Sequence, residues 1–135
     1  MVFVRNITEK FGINAGKVWT TLNMHGPLTS SNLLKNTRLS LNDLYAAIGW
    51  LARENKIYKN GSKYELKETN LTDKIGLDAG KVWNALNSQR DIDVSTIAEI
   101  AQVNRRDAYS ALGWLARENK IKTRCRKKQI KFELN

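Results

Sequence analysis

The 135-residue chain has little of what builds covalent or metal-bound scaffolds: one cysteine (Cys125), one histidine (His25) and one proline (Pro27). A single cysteine excludes an internal disulfide and fits a reducing compartment. One His and one Cys, 100 positions apart, do not make the ligand cluster a metal needs, so neither metal nor other cofactor is expected. No apolar run approaches the roughly 18 residues that cross a bilayer, so no membrane partner is expected. No basic-then-apolar leader opens the sequence either, and the expected location is cytoplasmic. Gly12 and Gly16 have the wrong spacing for a nucleotide-binding loop. Nothing points to catalytic residues, and the chain is not read as an enzyme. Acidic residues are outnumbered, 13 against 23 basic ones, for a net charge of +10. Residues 1–68 carry 10 Lys/Arg and 5 Asp/Glu, and residues 69–135 carry 13 and 8, so each half stands at +5. Such a balance suits a polyanionic partner for each half; the alternative is charge that merely solubilises.

What the sequence does contain is a repeat. Gly49-Trp50-Leu51-Ala52-Arg53-Glu54-Asn55-Lys56-Ile57 returns unchanged at Gly113–Ile121. At the same offset of 64, Ala15-Gly16-Lys17-Val18-Trp19 returns at Ala79–Trp83, and Leu22-Asn23 at Leu86-Asn87. Residues 7–57 align with 71–121 without a gap, and 23 of the 51 positions are identical. A period this long indicates a duplicated domain rather than a solenoid. The expected domains are residues 1–67 and 68–135. A domain of that size buries only about 60% of its unfolded surface and is marginal alone.

Within each copy the pattern predicts three helices and a hairpin. Met1–Phe11 reads as an apolar lead-in that packs on the first domain. Asn14 and Asp78 are N-cap residue types ahead of the apolar faces Val18-Trp19-Leu22 and Val82-Trp83-Leu86, and Gly26 is a plausible stop. Pro27–Thr29 and Ile92–Val94 can each supply a strand, and Ser31 and Ser95 would then open a short second helix. Ser40 and Asn104 would cap the longest helix, whose core stripes are Leu44, Ile48, Leu51 and Ala108, Leu112, Leu115. Asn55 and Asn119 fall where a left-handed C-terminal residue belongs. Asn60-Gly61 between extended runs predicts a hairpin, repeated with four extra residues over Ile121–Leu134. Lys67–Asn70 is the whole connection, which leaves little room for relative motion. The result is an α+β chain of two tandem winged helix-turn-helix domains, each with three helices plus a β-hairpin wing.

Ala-Gly-Lys-Val-Trp followed by Gly-Trp-Leu-Ala-Arg-Glu-Asn-Lys-Ile also resembles a family of small prokaryotic winged helix-turn-helix domains of unassigned function. The resemblance covers both copies and implies the fold. It transfers no binding residues, so function must be argued from the site.

A winged helix presents the early, outward residues of its third helix to the major groove. Here these are Asn42, Ala46, Gly49 and Arg53 with Tyr45 at the flank, and Arg106, Ser110, Gly113 and Arg117 with Arg105 and Tyr109 nearby. Asn and Arg can read bases or hold phosphates; the alternative is a solvated helix face. Ser31 and Ser95 could offer helix N-termini to phosphate, or be simple caps. The second hairpin holds seven cations and no acid between Lys120 and Lys131, with Lys122, Arg124, Arg126, Lys127 and Lys128 as candidate phosphate contacts. Lys59 and Lys63 make the first hairpin a weaker version. Trp19 and Trp83 read as core. Trp50 and Trp114 would pack on the first helix where Gly16 and Gly80 permit it, and Gly49 and Gly113 imply a close approach to an unidentified partner. The expected function is binding of double-stranded DNA with limited sequence preference, in the manner of a nucleoid-associated protein or a broad transcription regulator. The alternative is a protein-interaction adaptor; homodimerisation stays open.

Overall fold

The computed structural model describes residues 7–135; Val2, Phe3 and Val4 of the expected lead-in lie outside them. The elements run α1 (Thr8–His25), β1 (Leu28–Thr29), α2 (Ser30–Thr37), α3 (Leu41–Arg53), β2 (Ile57–Asn60), β3 (Lys63–Leu66), α4 (Thr72–Ser88), α5 (Val94–Ala101), α6 (Arg105–Arg117), β4 (Ile121–Arg126) and β5 (Gln129–Leu134). The first half closes a three-stranded antiparallel sheet of order β1-β3-β2. In the second half β4 and β5 pair alone, and the strand expected over Ile92–Val94 reduces to a single bridge from Ile92 to Phe132.

The first helix of each half starts well before its expected cap. Asn14 and Asp78 are buried in mid-helix. The extra turns exist because Phe11 and Ile75 anchor them, and each does so in the opposite half: Phe11 joins the core of residues 79–132, and Ile75 that of residues 15–64. Tertiary burial has overridden a local signal. Asp78 receives Lys74 Nζ at 2.7 Å, and Lys74 reaches Asp107 at 3.1 Å. The hydrogen bond to Asp78, then that to Asp107, holds the Lys74 ammonium above its usual range.

The caps of the second helices also lie upstream of Ser31 and Ser95. Thr29 accepts from the Asn32 N–H at 3.2 Å and Asp93 from the Thr96 N–H at 2.9 Å, and this bond holds the Asp93 carboxyl low. Ser40 and Asn104 cap α3 and α6 as expected, and Asn55 and Asn119 adopt φ of 62° and 58°. The first hairpin turns through Gly61-Ser62, one residue later than Asn60-Gly61, since Asn60 pairs with Lys63. The second turns through Lys127 and Lys128, both at positive φ (46° and 67°), where Asn-Gly would be at ease.

The longest helices meet each other. α3 on α6 is the most extensive contact between elements. A Cβ on Gly49 would stand 1.8 Å from the Ser110 carbonyl oxygen, and one on Gly113 would stand 1.8 Å from that of Ala46. Ala46 and Ser110 are equivalent positions, as are Gly49 and Gly113, so the contact is reciprocal and the two halves are related by a pseudo-two-fold axis at this crossing. Glycine is needed at both points because a backbone occupies the place of the side chain. Arg53 Nε meets Glu118 at 3.1 Å and Arg117 Nε meets Glu54 at 3.0 Å across the same axis. Their guanidinium carbons lie 5.7 Å and 5.9 Å from the rings of Trp114 and Trp50.

Two tryptophan expectations change. Trp19 and Trp83 are not core; they are 39% and 37% exposed. Val18 and Leu22, with Val82 and Leu86, fill that space instead. Trp50 and Trp114 do lie against the first helices, but over Gly12 and Gly76 rather than Gly16 and Gly80: a Cβ on Gly12 would approach Trp50 Cζ2 to 2.8 Å. Nothing stands within 4 Å of where a Cβ would lie on Gly16 or Gly80. Gly16→Ala and Gly80→Ala should therefore each stabilise the fold by about 1 kcal/mol, the helix-propensity difference. A lower urea midpoint for either variant would contradict that placement.

Candidate nucleic-acid interface

Strand register builds the second wing into a two-faced ribbon. Lys122 pairs with Glu133, Arg124 with Lys131 and Arg126 with Gln129, while Ile121, Thr123 and Cys125 pair with Leu134, Phe132 and Ile130. Side chains alternate along a strand. One face is therefore charged, and the other runs from the buried Ile121, Thr123 and Phe132 out to Cys125 and Ile130 at the tip. Glu133 is the carboxylate on the charged face. Its Oε1 lies 3.6 Å from Lys122 Nζ and 3.1 Å from Arg124 Nε. Lys127 and Lys128 are exposed at the turn; the Arg126 side chain is outside what the structure describes. Two clefts flank Arg124: one of about 490 Å³ that adds Arg90 and Lys122, and one of about 390 Å³ that adds Lys127 and Lys131 together with the acid Asp91.

Arg90 was missed by sequence reading, although the repeat carried the signal: it stands where the first copy has Gly26. The first wing differs in kind. Its outward positions include Tyr58, Asn60, Lys63 and Glu65, and Lys59 lies 5.8 Å from the Tyr64 ring.

The other candidate residues divide. Arg105 Nη1 donates to Ser95 Oγ at 2.9 Å and its guanidinium lies 5.7 Å from the ring of the half-buried Tyr109, so the exposed Ser95 and Arg105 sit over Tyr109 at the α5–α6 corner. Arg106 lies 5.1 Å from the Tyr45 ring and joins Lys59 and Tyr64, from the other half, around a small cleft. Ser31 is exposed in the first turn of α2, two residues after the cap Thr29, and does not itself cap the helix. Asn42 is half-buried at the start of α3. Tyr45, Ala46, Gly49, Ser110 and Gly113 are buried, and Arg53 and Arg117 are committed to ion pairs across the α3–α6 contact. The outward face of each third helix thus meets its counterpart, because the Gly/small-residue pattern that looked like a bare surface is a helix-packing seam.

With this element order, these sheets and these wings in place, the comparison with known families is decisive. Residues 7–70 and again 67–134 match the winged helix-turn-helix domain family DUF2582. The chain belongs to this family, twice over. No curated protein and no solved structure matches the chain. A winged helix-turn-helix domain suggests DNA binding, and in this chain both third helices are turned toward each other. Among the described residues, no helix is long and apolar enough to cross a membrane, and no group of three or more His, Cys, Asp or Glu could hold a metal ion.

Tyr64 offers a check on the seam between halves. Burial, then the neighbouring Tyr45, pushes its phenol up to about 12 against the lowering effect of Arg106. A raised folded value means that its contribution to stability is full below the unfolded value of 10.0 and is lost as pH rises through about 12. Tyr64→Phe should flatten the alkaline decline of the urea midpoint in that window. Tyr109, also raised by burial, accounts for the residual slope. A decline as steep as in the parent would contradict Tyr64 burial.

Proposed function

We propose that the protein binds double-stranded DNA chiefly through phosphate contacts along the charged face of its second wing, with limited sequence preference. The observation that carries this is the β4–β5 register, which sets Lys122, Arg124 and Lys131 on one face beside Arg90, with Lys127 and Lys128 at the turn and Glu133 and Asp91 as the opposing acids. Held apart from duplex, these cations repel one another; laid along a phosphate backbone they release counterions. Arg105 and Ser95 lie at the N-terminal corner of α5 and α6, where a winged helix meets backbone. The overall charge of +10 supports the same partner. Such binding suits a nucleoid-associated protein or a broad regulator acting on the chromosome in the cytoplasm.

Titration of a random-sequence duplex at two salt concentrations tests the reading. Affinity should fall with salt at about −0.9 log units per phosphate neutralised for each log unit of salt. Exchange of Asn42 and Arg106 should leave sequence preference nearly flat, because the middle of each third helix is occupied. A preference shifted by the 1–3 kcal/mol of a direct base contact, about five- to 150-fold, would restore base reading by the third helices. An adaptor that docks through Gly49 and Gly113 is disfavoured, since each helix already fills that role for the other.

A further inference from the structure

The two first helices carry a second pair of surfaces. Gly12, Ala15, Gly16, Trp19, Thr20, Trp50, Leu51, Glu54 and Lys56 line an open groove of about 320 Å³ between α1 and the end of α3. Its counterpart between α4 and α6 measures about 470 Å³. Eight of the nine lining positions are identical between the halves, with Thr20 and Asn84 as the exception. Across the aligned region only 23 of 51 are. Several of the eight have structural reasons to persist: Ala15 and Leu51 are core, Gly12 lies under Trp50, and Glu54 holds Arg117. Nothing packs where a Cβ on Gly16 would lie, and Trp19 is only partly buried. Gly16 weakens its helix with open space around it, and Trp19 leaves more than a third of a large aromatic in water. Both recur in the second half. A glycine where a neighbouring chain must approach closely, beside two indole walls, is the composition of a peptide-binding groove.

Charge selects the occupant. The groove carboxylates are already engaged: Glu54 with Arg117 at 3.0 Å and Lys56 at 3.7 Å, and Glu118 with Arg53 at 3.1 Å and Lys120 at 3.4 Å. The Lys56 and Lys120 side chains remain 51% exposed at the mouths. Lys17 and Lys81, next to the glycines, are exposed and have no ion-pair partner among the described residues. We infer that each groove takes a short extended segment of a partner protein, with an apolar side chain between the tryptophans and flanking carboxylates against these ammonium groups. Each chain holds two such segments, so a dimeric or repeat-bearing partner gains avidity. This site is separate from the DNA-binding wing.

The test uses the full chain and a fluorescent probe peptide with a Leu-Pro-Leu centre and Asp/Glu flanks, beside a control with Lys flanks. The acidic probe should bind with two sites per chain, change the indole emission and bind about tenfold or more tighter than the control. Gly16→Leu with Gly80→Leu should abolish binding while far-UV dichroism and duplex affinity stay at parent values. No binding of the acidic probe, equal binding of the control, or affinity unchanged in the double variant would overturn the inference. So would self-association of the parent that the double variant loses, which would assign the grooves to a second copy of the chain.

Discussion

Gly49→Ala combined with Gly113→Ala should break the chain at its centre. Each new methyl would sit 1.8 Å from a carbonyl oxygen of the facing helix, and a backbone cannot step aside as a side chain can. The helices must move apart and loosen everything that spans the axis, including the Arg53–Glu118 and Arg117–Glu54 pairs and the exchanged anchors Phe11 and Ile75. Overpacking of a core typically costs about 1–3 kcal/mol per site; clashes this close with backbone fall in the upper half of that range, so two of them cost about 3–6 kcal/mol. That is a large share of the 5–15 kcal/mol that holds a typical domain. Alanine's helix propensity offsets about 1 kcal/mol at each position, so the expected net loss is about 1–4 kcal/mol. Gly16→Ala and Gly80→Ala supply the control: the same change in the same kind of element, with the opposite sign. Urea midpoints of the two double variants should move in opposite directions. If both rise, the close approach of α3 and α6 is wrong.

The second large effect lies at the second wing. Replacing Arg124 and Arg126 by Gln, Lys127 by Asn and Lys128 by Gly removes four charges and places Asn-Gly at a turn with two positive φ values. Binding to every duplex should weaken alike, and the log-affinity against log-salt line should flatten by about two to four units. Stability should change little. Loss of Arg124 leaves the nearly buried Glu133 with Lys122 alone, at 3.6 Å, and the relaxed turn offsets that. An unchanged salt slope would make the wing a solvated charge run.

The fold was legible because its signals were local and doubled. Ser40 and Asn104 capped the right helices, Asn55 and Asn119 ended them, and a hairpin followed each. The failures are tertiary. Asn14 and Asp78 look like caps, yet Phe11 and Ile75 carry each helix past them by burying themselves in the other half, which no local window records. The candidate site suffered more. Gly49, Ala46, Gly113 and Ser110 were seen, but as the bare face of a DNA-reading helix; small residues at that spacing equally describe a seam between helices, and one copy read alone cannot tell the two apart. Trp19 was assigned to the core by helical periodicity, although Val18 and Leu22 already fill that stripe. The second wing was found because charge density is a property of the sequence itself. Its two faces, and Arg90 beside it, required the register.

Duplex is expected to lie against the second wing and away from the α3–α6 seam. Amide chemical-shift mapping of the labelled chain during titration with a duplex tests this directly. Shifts should concentrate at Lys122, Arg124, Lys127, Lys128 and Lys131, with Arg90, Ser95 and Arg105, while Ala46, Gly49, Ser110 and Gly113 stay in place. Shifts centred on Gly49 and Gly113, or a spectrum that does not respond to duplex, would contradict it.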